Sequence, residues 1–184
     1  MQLTTAKIVE KLSEILKPVS RAEDADAAVA LLLKTANRNF DVLFVKRVKK
    51  PGDPWSGQTA LPGGKREPGD KHLKQTIIRE TLEETNINLE DHCRFLGTLG
   101  IEHSTPRPEI RILPFVILLE HEPIIILNER ELEWFGWIPL KALDKHRGRV
   151  KFSFGEFQAY VMADQVIWGL TYRIVENFFH AMDR

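Results

Sequence analysis

Three carboxylates within five residues, Glu80, Glu83 and Glu84, are the part of this sequence with the clearest chemical meaning. Glu80 and Glu84 are four residues apart, so they lie on one face of a helix. Like charges at this spacing repel each other and cost a little stability. Hard divalent cations such as magnesium bind carboxylate oxygens and would offset the repulsion. The spacing therefore predicts a cation site, with a solvated acidic helix face as the alternative interpretation.

The helix that carries these carboxylates is predicted over about Lys71 to Thr85. Asp70 is expected as its N-cap, and Asn86 as a left-handed residue at its end. Ile78 and Leu82 point nearly away from the paired carboxylates and are expected to bury against a sheet. A helix packed in this way would hold the carboxylates on a rigid platform.

A glycine turn lies directly before the predicted helix, in Leu61-Pro62-Gly63-Gly64. A backbone without Cβ atoms can approach an ion or a phosphate closely. Arg79 is expected to pair with Glu83, four residues on, and to leave Glu80 and Glu84 free. This context favours a cation and phosphate site over a plain acidic face.

The composition is that of an ordinary globular protein, with 43% hydrophobic and 28% charged residues in a chain of 184. This length predicts a single domain over residues 1–184 with a full core. Residues 1–20 are interpreted as an N-terminal helical extension of that domain. The 26 basic and 26 acidic residues balance, so we expect neither nucleic acid nor an anionic membrane as a partner.

Cysteine usage and hydropathy limit the remaining protein classes. Cys93 is the only cysteine, which excludes an internal disulfide and a thiolate metal cluster. No apolar run approaches the roughly 18–20 residues of a membrane span. The stretch from Met1 to Leu16 contains charged residues that are not typical of a signal peptide. We therefore expect a cytoplasmic location.

Helices and strands are interspersed along the chain, with a run of strands in the middle. Hydrophobic periodicity predicts further helices over Thr4 to Leu16 and about Gln165 to Met182. The predicted strands are Ala27 to Leu33, Asp41 to Arg47, Arg94 to Ile101, Ile110 to Leu119, Ile124 to Leu127 and Phe135 to Ile138. This order predicts an α+β fold, a mixed α/β/α sandwich in which helices pack on a mixed sheet.

The carboxylate region resembles the Nudix box. The family pattern is Gly, five residues, Glu, seven residues, and then Arg-Glu-apolar-x-Glu-Glu-x-Gly-apolar. Here Gly64 opens the pattern, Asp70 holds its first acidic position, and Arg79 to Ile87 closes it. Three positions depart from the pattern. Asp70 replaces Glu, eight residues instead of seven separate Asp70 from Arg79, and Asn86 replaces Gly. The first two departures resemble the branch that contains the coenzyme A diphosphatases.

The resemblance extends over about Asp41 to Phe178, beyond the box itself. Phe44-Val45-Lys46-Arg47 and Trp55-Ser56-Gly57-Gln58 are similar to the same branch. The stretch from Glu131 to Leu140 resembles the late strand of the family. Ile167-Trp168-Gly169-Leu170-Thr171 is similar to the start of the last helix in the coenzyme A group.

This resemblance implies a Nudix fold, a mixed β-sheet flanked by helices. It also implies a hydrolase that cleaves the diphosphate linkage of a small nucleoside diphosphate derivative, with magnesium or manganese as cofactor. The implied metal ligands are Glu80, Glu83 and Glu84, which also form the catalytic set, and the carbonyl of Gly63 completes the shell.

A further carboxylate must accept a proton from the attacking water. Glu80, Glu131 and Glu133 are the candidates for this general base, and Glu131 is therefore included among the catalytic residues. The residues expected to contact the substrate are Arg47, Trp55, Gly63, Gly64 and Arg66. For the two arginines the alternative is a basic surface loop, and for the tryptophan it is an anchor of the core or of the loop.

Coenzyme A is the first substrate expected, although Arg47-Val48-Lys49-Lys50 stands where the true coenzyme A enzymes carry an arginine-serine-rich stretch. ADP-ribose, nucleotide sugars, dinucleoside polyphosphates and nucleoside triphosphates are the alternatives. Two alternative functions are a non-catalytic nucleotide-binding module of the same fold and an RNA pyrophosphohydrolase. The zero net charge argues against the second of these.

Phe178 and Phe179 on the last predicted helix are interpreted as packing residues, with a homodimer interface as the alternative.

Overall fold

The computed structural model describes residues 5–20, 24–36 and 39–183. In this part of the chain, eight strands form one mixed sheet and three more form a small second sheet. The helices are α1 (Thr5–Ile15), α2 (Leu73–Thr85), α3 (Leu140–Lys145) and α4 (Gly169–Met182). The strands are β1 (Ala27–Ala36), β2 (Asn39–Arg47), β3 (Thr59–Ala60), β4 (Gly63–Lys65), β5 (Cys93–Thr98), β6 (Glu102–His103), β7 (Arg111–Leu119), β8 (Leu132–Pro139), β9 (Arg147–Phe152), β10 (Gly155–Val161) and β11 (Val166–Trp168).

The main sheet has the order β3-β2-β1-β7-β5, and β4, β6 and β8 pair with β1, β7 and β2. Strands β1 and β7 are parallel neighbours, whereas the other pairs are antiparallel. Both central strands are almost continuously apolar because each of their faces is covered. The small sheet has the order β11-β10-β9.

Two apolar clusters lie on opposite faces of the main sheet. Leu31 and Leu33 of β1 belong to the cluster that contains residues of α1 and α4. Ala30 and Leu32 alternate with them and belong to the cluster that contains residues of α2. The alternation follows from the two-residue period of a strand. The predicted sandwich, with helices on both faces of a mixed sheet, is confirmed.

Helix α2 buries a different face from the one expected. Ile77, Thr81 and Glu84 are buried, whereas Leu82 is 44% exposed and Ile78 is only half-buried. Residues seven apart in a helix return to nearly the same direction. The stripe that carries the paired carboxylates therefore packs inward, and the expectation for Ile78 and Leu82 is wrong.

The two ends of α2 test two further expectations. His72 is the N-cap, and its Nδ1 accepts a hydrogen bond from the Gln75 N–H at 3.3 Å, so the expectation for Asp70 is wrong. Asn86 has a φ of 61° and its N–H donates to the carbonyl of Leu82. The left-handed residue predicted at this end is confirmed.

Other elements differ from the sequence prediction at particular places. Ile124 to Leu127 is not a strand: Ile124 is 81% exposed and Ile126 is 61% exposed. The Ile126 N–H instead donates to the carbonyl of Thr85 at 3.1 Å, which ties the segment to the end of α2. The last helix begins at Gly169, because the three preceding residues form β11.

Some predictions near the chain ends have mixed outcomes. The first residue predicted for the N-terminal helix, Thr4, lies outside the described residues, and the helix ends at Ile15. Phe178 is fully buried, which confirms it as a packing residue, while the homodimer stays a prediction.

None of the described helices combines the length and the apolar character that crossing a membrane requires.

Candidate active site

A cavity of about 320 Å³ lies where the glycine turn meets helix α2, strands β1 and β7 and the start of α4. Its acidic residues are Glu80, Glu84 and Glu131. Among its apolar lining residues are Val29, Ile110, Ile112 and Leu170, and among its polar ones are Arg47, Trp55, Gln58, Ser104 and Thr171. Two of the three predicted helix carboxylates, Glu80 and Glu84, therefore share one concave site with the glycine turn.

The glycine turn forms β4, which pairs with β1 so that Gly63 lies opposite Val29. Gly63 has a φ of 142°, and a Cβ there would lie 2.3 Å from the carbonyl oxygen of Ala28. A Cβ on Gly64 would lie 2.5 Å from the carboxyl group of Glu80. Both positions need glycine because the neighbouring strand and the Glu80 carboxyl approach so closely.

Replacing Gly64 by alanine is expected to displace the carboxyl group of Glu80 without unfolding the protein. The new methyl group meets the far end of a side chain rather than backbone, so the fold can yield. Misplacing a reacting group by about 1 Å costs roughly 10²-fold in rate, and we expect a loss of this size in kcat/KM with little change in Tm. Gly100→Ala, where no atom lies within 4 Å of the new Cβ, is the matched control. A Gly64→Ala protein with full activity would contradict the assigned contact.

Glu84 is 3% exposed, and its Oε2 accepts a hydrogen bond from the Gly63 N–H at 2.8 Å. Burial raises the pKa of this carboxyl to about 8, against the opposing effect of the Gly63 hydrogen bond. The nearby charges of Glu80 and Glu131 raise it further, and Arg47 lowers it. In this structure Glu84 is thus a desolvated acid held at the glycine turn.

Arg79 joins three of the box carboxylates. Its Nη1 lies 2.9 Å from Glu80 and 3.3 Å from Glu83, and its Nη2 lies 3.0 Å from Asp70. The expected pair with Glu83 is present, but the expectation that Glu80 stays free is wrong. Burial raises the pKa of Glu80, and the hydrogen bond from Arg79 opposes this shift. Glu83, with its side chain 55% exposed, does not line the cavity.

Asp70 holds Arg79 rather than capping α2. It is 9% exposed, and it accepts hydrogen bonds from the Thr76 hydroxyl at 3.0 Å and the Glu67 N–H at 2.9 Å. The hydrogen bond from Arg79 is the main cause that lowers the pKa of Asp70 to about 2. The first acidic position of the box therefore orients the arginine that orients Glu80.

Glu131 lies on a loop that is tied to α2. The Asn128 N–H donates to the carbonyl of Glu84 at 3.0 Å, and the Asn128 side chain donates to Glu131 at 3.3 Å. Glu131 lines the cavity. Glu133 instead pairs with Lys46 at 3.1 Å and is not among the lining residues. The structure thus brings one of the two later carboxylates to the site.

Four of the five residues expected to contact substrate lie at the cavity: the glycines Gly63 and Gly64 and the side chains of Arg47 and Trp55. Arg47 pairs with Asp53 at 3.1 Å, and its Nε is buried without a hydrogen-bond partner. The indole N–H of Trp55 donates to the hydroxyl of Ser104 at 3.3 Å. Both side chains line the cavity, so an arginine and an aromatic ring face the space beside the carboxylates.

Arg66 lies outside this cavity. Its side chain donates to the backbone carbonyls of Asp70 at 3.1 Å and Lys71 at 3.0 Å. These contacts fix the approach to α2, and a role for Arg66 in substrate binding stays a prediction.

Sequence reasoning missed the part of the cavity that comes from distant segments. Ser104 follows β6, Ile112 lies in β7, and Leu170 and Thr171 begin α4. None of these residues has a type or spacing that marks it as functional. Only the similarity of residues 167–171 to the coenzyme A group pointed to this end of the chain.

The residues present fit a hard divalent cation by their chemistry. In the described part of the chain, no three Asp, Glu, His or Cys side chains are grouped as a finished metal site. Glu80 and Glu84 nevertheless offer desolvated oxygen donors at one cavity. Burial raises the pKa of both groups, and neighbouring carboxylates raise it further. A divalent cation would relieve this repulsion, and oxygen is the ligand that magnesium prefers.

Comparisons with known proteins agree with this geometry. The NUDIX domain model matches residues 24–160. The peroxisomal coenzyme A diphosphatase ndx-8 of Caenorhabditis elegans is 30% identical over 142 residues, which are 76% of this chain and 59% of that protein. The Schizosaccharomyces pombe protein C14C4.10c is 39% identical over 107 residues, 55% of this chain. The chain thus spans less than two thirds of the length of these relatives, and only 32% of the yeast protein.

A solved structure shows the same fold. The NUDIX domain of NrtR from Shewanella oneidensis, crystallised with ADP ribose, superposes with a TM-score of 0.56. The match covers 97% of this chain and 98% of that chain at 16% identity. Since the family model covers most of the chain, and Gly64, Glu80 and Glu84 of the box line one cavity, the chain belongs to the Nudix family.

Proposed function

We propose that this protein hydrolyses the diphosphate linkage of a nucleoside diphosphate derivative in a reaction that depends on a divalent metal. The observation that carries the proposal is the desolvated pair Glu80 and Glu84 beside the glycine turn. Such a pair is unfavourable in the protein alone and is explained by a cation. The family match supports the same reaction class.

Glu80 and Glu84 would hold the cation, with Glu83 and the carbonyl of Gly63 as further ligands by family resemblance. Magnesium and manganese are the metals proposed, because both accept carboxylate and carbonyl oxygen. A cation in this place supplies charge neutralisation for the diphosphate and acidifies water. Arg79 keeps Glu80 turned toward the site through the contact of 2.9 Å.

We assign the general base to Glu131. It lines the cavity, whereas Glu133 is occupied by Lys46 at 3.1 Å. Glu80, the third candidate, already accepts a hydrogen bond from Arg79 and is better suited to holding the cation. Glu131 would take the proton from the water that attacks phosphorus.

Glu131→Gln is expected to lower kcat by about 10²- to 10³-fold, since positioned proton transfer contributes 10²- to 10⁴-fold. The affinity for magnesium should stay near that of the wild type, because the variant keeps Glu80 and Glu84. Kinetics at several metal concentrations separate these two effects. Glu133→Gln is the matched control and should leave kcat unchanged. If kcat fell in Glu133→Gln and not in Glu131→Gln, Glu133 would be the general base instead.

Coenzyme A is the first substrate proposed. The support is the similarity to the nematode coenzyme A diphosphatase and the two departures of the box that resemble the same branch. ADP-ribose, nucleotide sugars, dinucleoside polyphosphates and nucleoside triphosphates are the competing substrates. The cytoplasmic location also stays a prediction, and this relative is named as peroxisomal.

The test is to incubate the purified protein with these diphosphates and magnesium or manganese and to identify the products by mass. We expect cleavage at the diphosphate and no cleavage when EDTA removes the metal. A protein whose Tm rises with nucleotide but that releases no product would be a binding module instead. That result would overturn the proposed reaction.

A further inference from the structure

The loop between β6 and β7, residues 104–110, carries Arg107 on a restrained backbone. The Ser104 N–H donates to the Ile110 carbonyl at 3.0 Å, and the Ile110 N–H donates to the Arg107 carbonyl at 2.9 Å. Pro106 and Pro108 stand on either side of Arg107 and fix the φ angle at two positions. The loop is thus closed on itself, with Arg107 near its tip.

The same loop is anchored to the last helix. Arg173 of α4 donates to Glu102 at 2.9 Å and to the Thr105 hydroxyl at 3.1 Å. Asn177, one turn later, donates to the other oxygen of Glu102 at 2.6 Å. Helix α4 therefore holds the start of the loop, which restricts the region from which Arg107 projects.

Arg107 lies over the ring of Trp55, with 5.7 Å between its guanidinium carbon and the ring centroid. Trp55 lines the cavity and is itself held by Ser104 at 3.3 Å. A guanidinium group that packs against an aromatic face keeps the N–H donors in its plane available. Arg107 thus offers donors beside the cavity.

The charge of Arg107 has no carboxylate within ion-pair distance among the described residues. Arg47, the other arginine near Trp55, is paired with Asp53. Unpaired surface arginines are common, and Arg94 on β5 is another. Arg107 differs from it because a rigid loop places it against a ring of the cavity.

Resting on the proposed function, we propose that Arg107 determines specificity by binding a phosphomonoester on the nucleoside part of the substrate. The diphosphate is assigned to Glu80 and Glu84, which line the cavity, whereas Arg107 lies outside its lining. An anion bound by Arg107 would therefore be a separate group. Arginine binds phosphate through paired, charge-assisted hydrogen bonds. Coenzyme A carries such a phosphate on its ribose, whereas ADP-ribose and common nucleotide sugars carry none. Arg107 would therefore favour the first class over the second.

The first experiment compares coenzyme A with 3′-dephospho-coenzyme A, which lacks only this phosphate. The wild type should have a kcat/KM about 10- to 100-fold higher for coenzyme A, as expected for hydrogen bonds between charged groups. Arg107→Gln should remove this preference by raising KM for coenzyme A, with kcat and the rate on the dephospho compound unchanged. Arg94→Gln is the matched control and should behave as the wild type.

The second experiment separates Arg107 from the proposed reaction. Calorimetry compares the binding of adenosine 3′,5′-bisphosphate with that of AMP, neither of which contains a diphosphate. Tighter binding of the bisphosphate to the wild type, lost in Arg107→Gln, would support the assignment even if no compound were hydrolysed. Equal binding of both nucleotides, or equal losses on both coenzyme A compounds, would overturn it.

Discussion

Glu84→Gln is expected to lower the rate of metal-dependent hydrolysis strongly and, in the metal-free protein, to raise stability at alkaline pH. Losing one charged ligand removes several kcal/mol of transition-state stabilisation, which corresponds to about 10³-fold in kcat. Glutamine keeps an oxygen that can accept the Gly63 N–H bond of 2.8 Å but carries no buried charge. The same change therefore weakens the proposed activity and removes a source of instability.

The pH dependence follows from the pKa of Glu84, which is about 8 in the folded protein against 4.5 for the free side chain. Between these two values the folded state holds a proton that the unfolded state releases, so stability falls as pH rises. The penalty is absent below about pH 4.5 and complete above about pH 8, where it reaches on the order of 5 kcal/mol.

Urea unfolding of both proteins in EDTA at pH 5 and pH 9 measures this penalty. The two proteins should have nearly equal free energies of unfolding at pH 5, and the variant should be more stable at pH 9. Glu83→Gln, at a position with the side chain 55% exposed, is the control for the loss of one charge on α2. A difference of the same size at both pH values would show that Glu84 is not a buried acid.

Arg79→Ala is expected to cost about 3 kcal/mol of stability, the size typical of breaking a buried ion pair by removing one partner. Asp70 and Glu80 would both lose the contact that compensates their burial. Activity should fall as well, because the Glu80 carboxylate is no longer oriented. Arg94→Ala, which removes an exposed arginine from β5, should change neither quantity.

Acid unfolding tests the cause of this loss. The pKa of Asp70 is lowered from 3.8 to about 2, chiefly by the hydrogen bond from Arg79. A lowered carboxyl pKa gives stability that is present above about pH 4 and is lost as pH falls toward 2. The difference in free energy between wild type and Arg79→Ala should therefore shrink as pH falls from about 4 to about 2. A constant difference down to pH 2 would assign the cost to packing instead.

The box itself was predictable because the relative positions of its charged residues follow from their spacing along one helix. Glu80 and Glu84 share a helix face by the period of the helix, and the Arg79–Glu83 pair follows from the same rule. The left-handed Asn86 is likewise a local property of a helix end. Resemblance to the family added Glu131 to the candidate site, and the residue types of Arg47 and Trp55 near the glycine turn added these two. All three residues line the cavity.

The orientation of the helix was not predictable from its own residues. Apolar side chains occur on more than one side of α2, and the sheet packs against the stripe of Ile77 and Glu84. Burying a carboxylate such as Glu84 is costly, so hydrophobicity alone favoured the opposite face through Leu82. Asp70 was similarly assigned to a cap, although Arg79, nine residues away, determines its role.

By itself, then, the order of amino acids determined the helix with its acidic face, the bend of two glycines before it and the family. Tertiary structure decided which carboxylates line the cavity together and which residues from other segments lie opposite them. The parallel pairing of β1 with β7 and the packing of α4 bring Ser104, Ile112 and Leu170 to residues far away in the chain. Short-range spacing determines contacts within one helix or turn, whereas contacts between distant segments depend on how the whole sheet pairs.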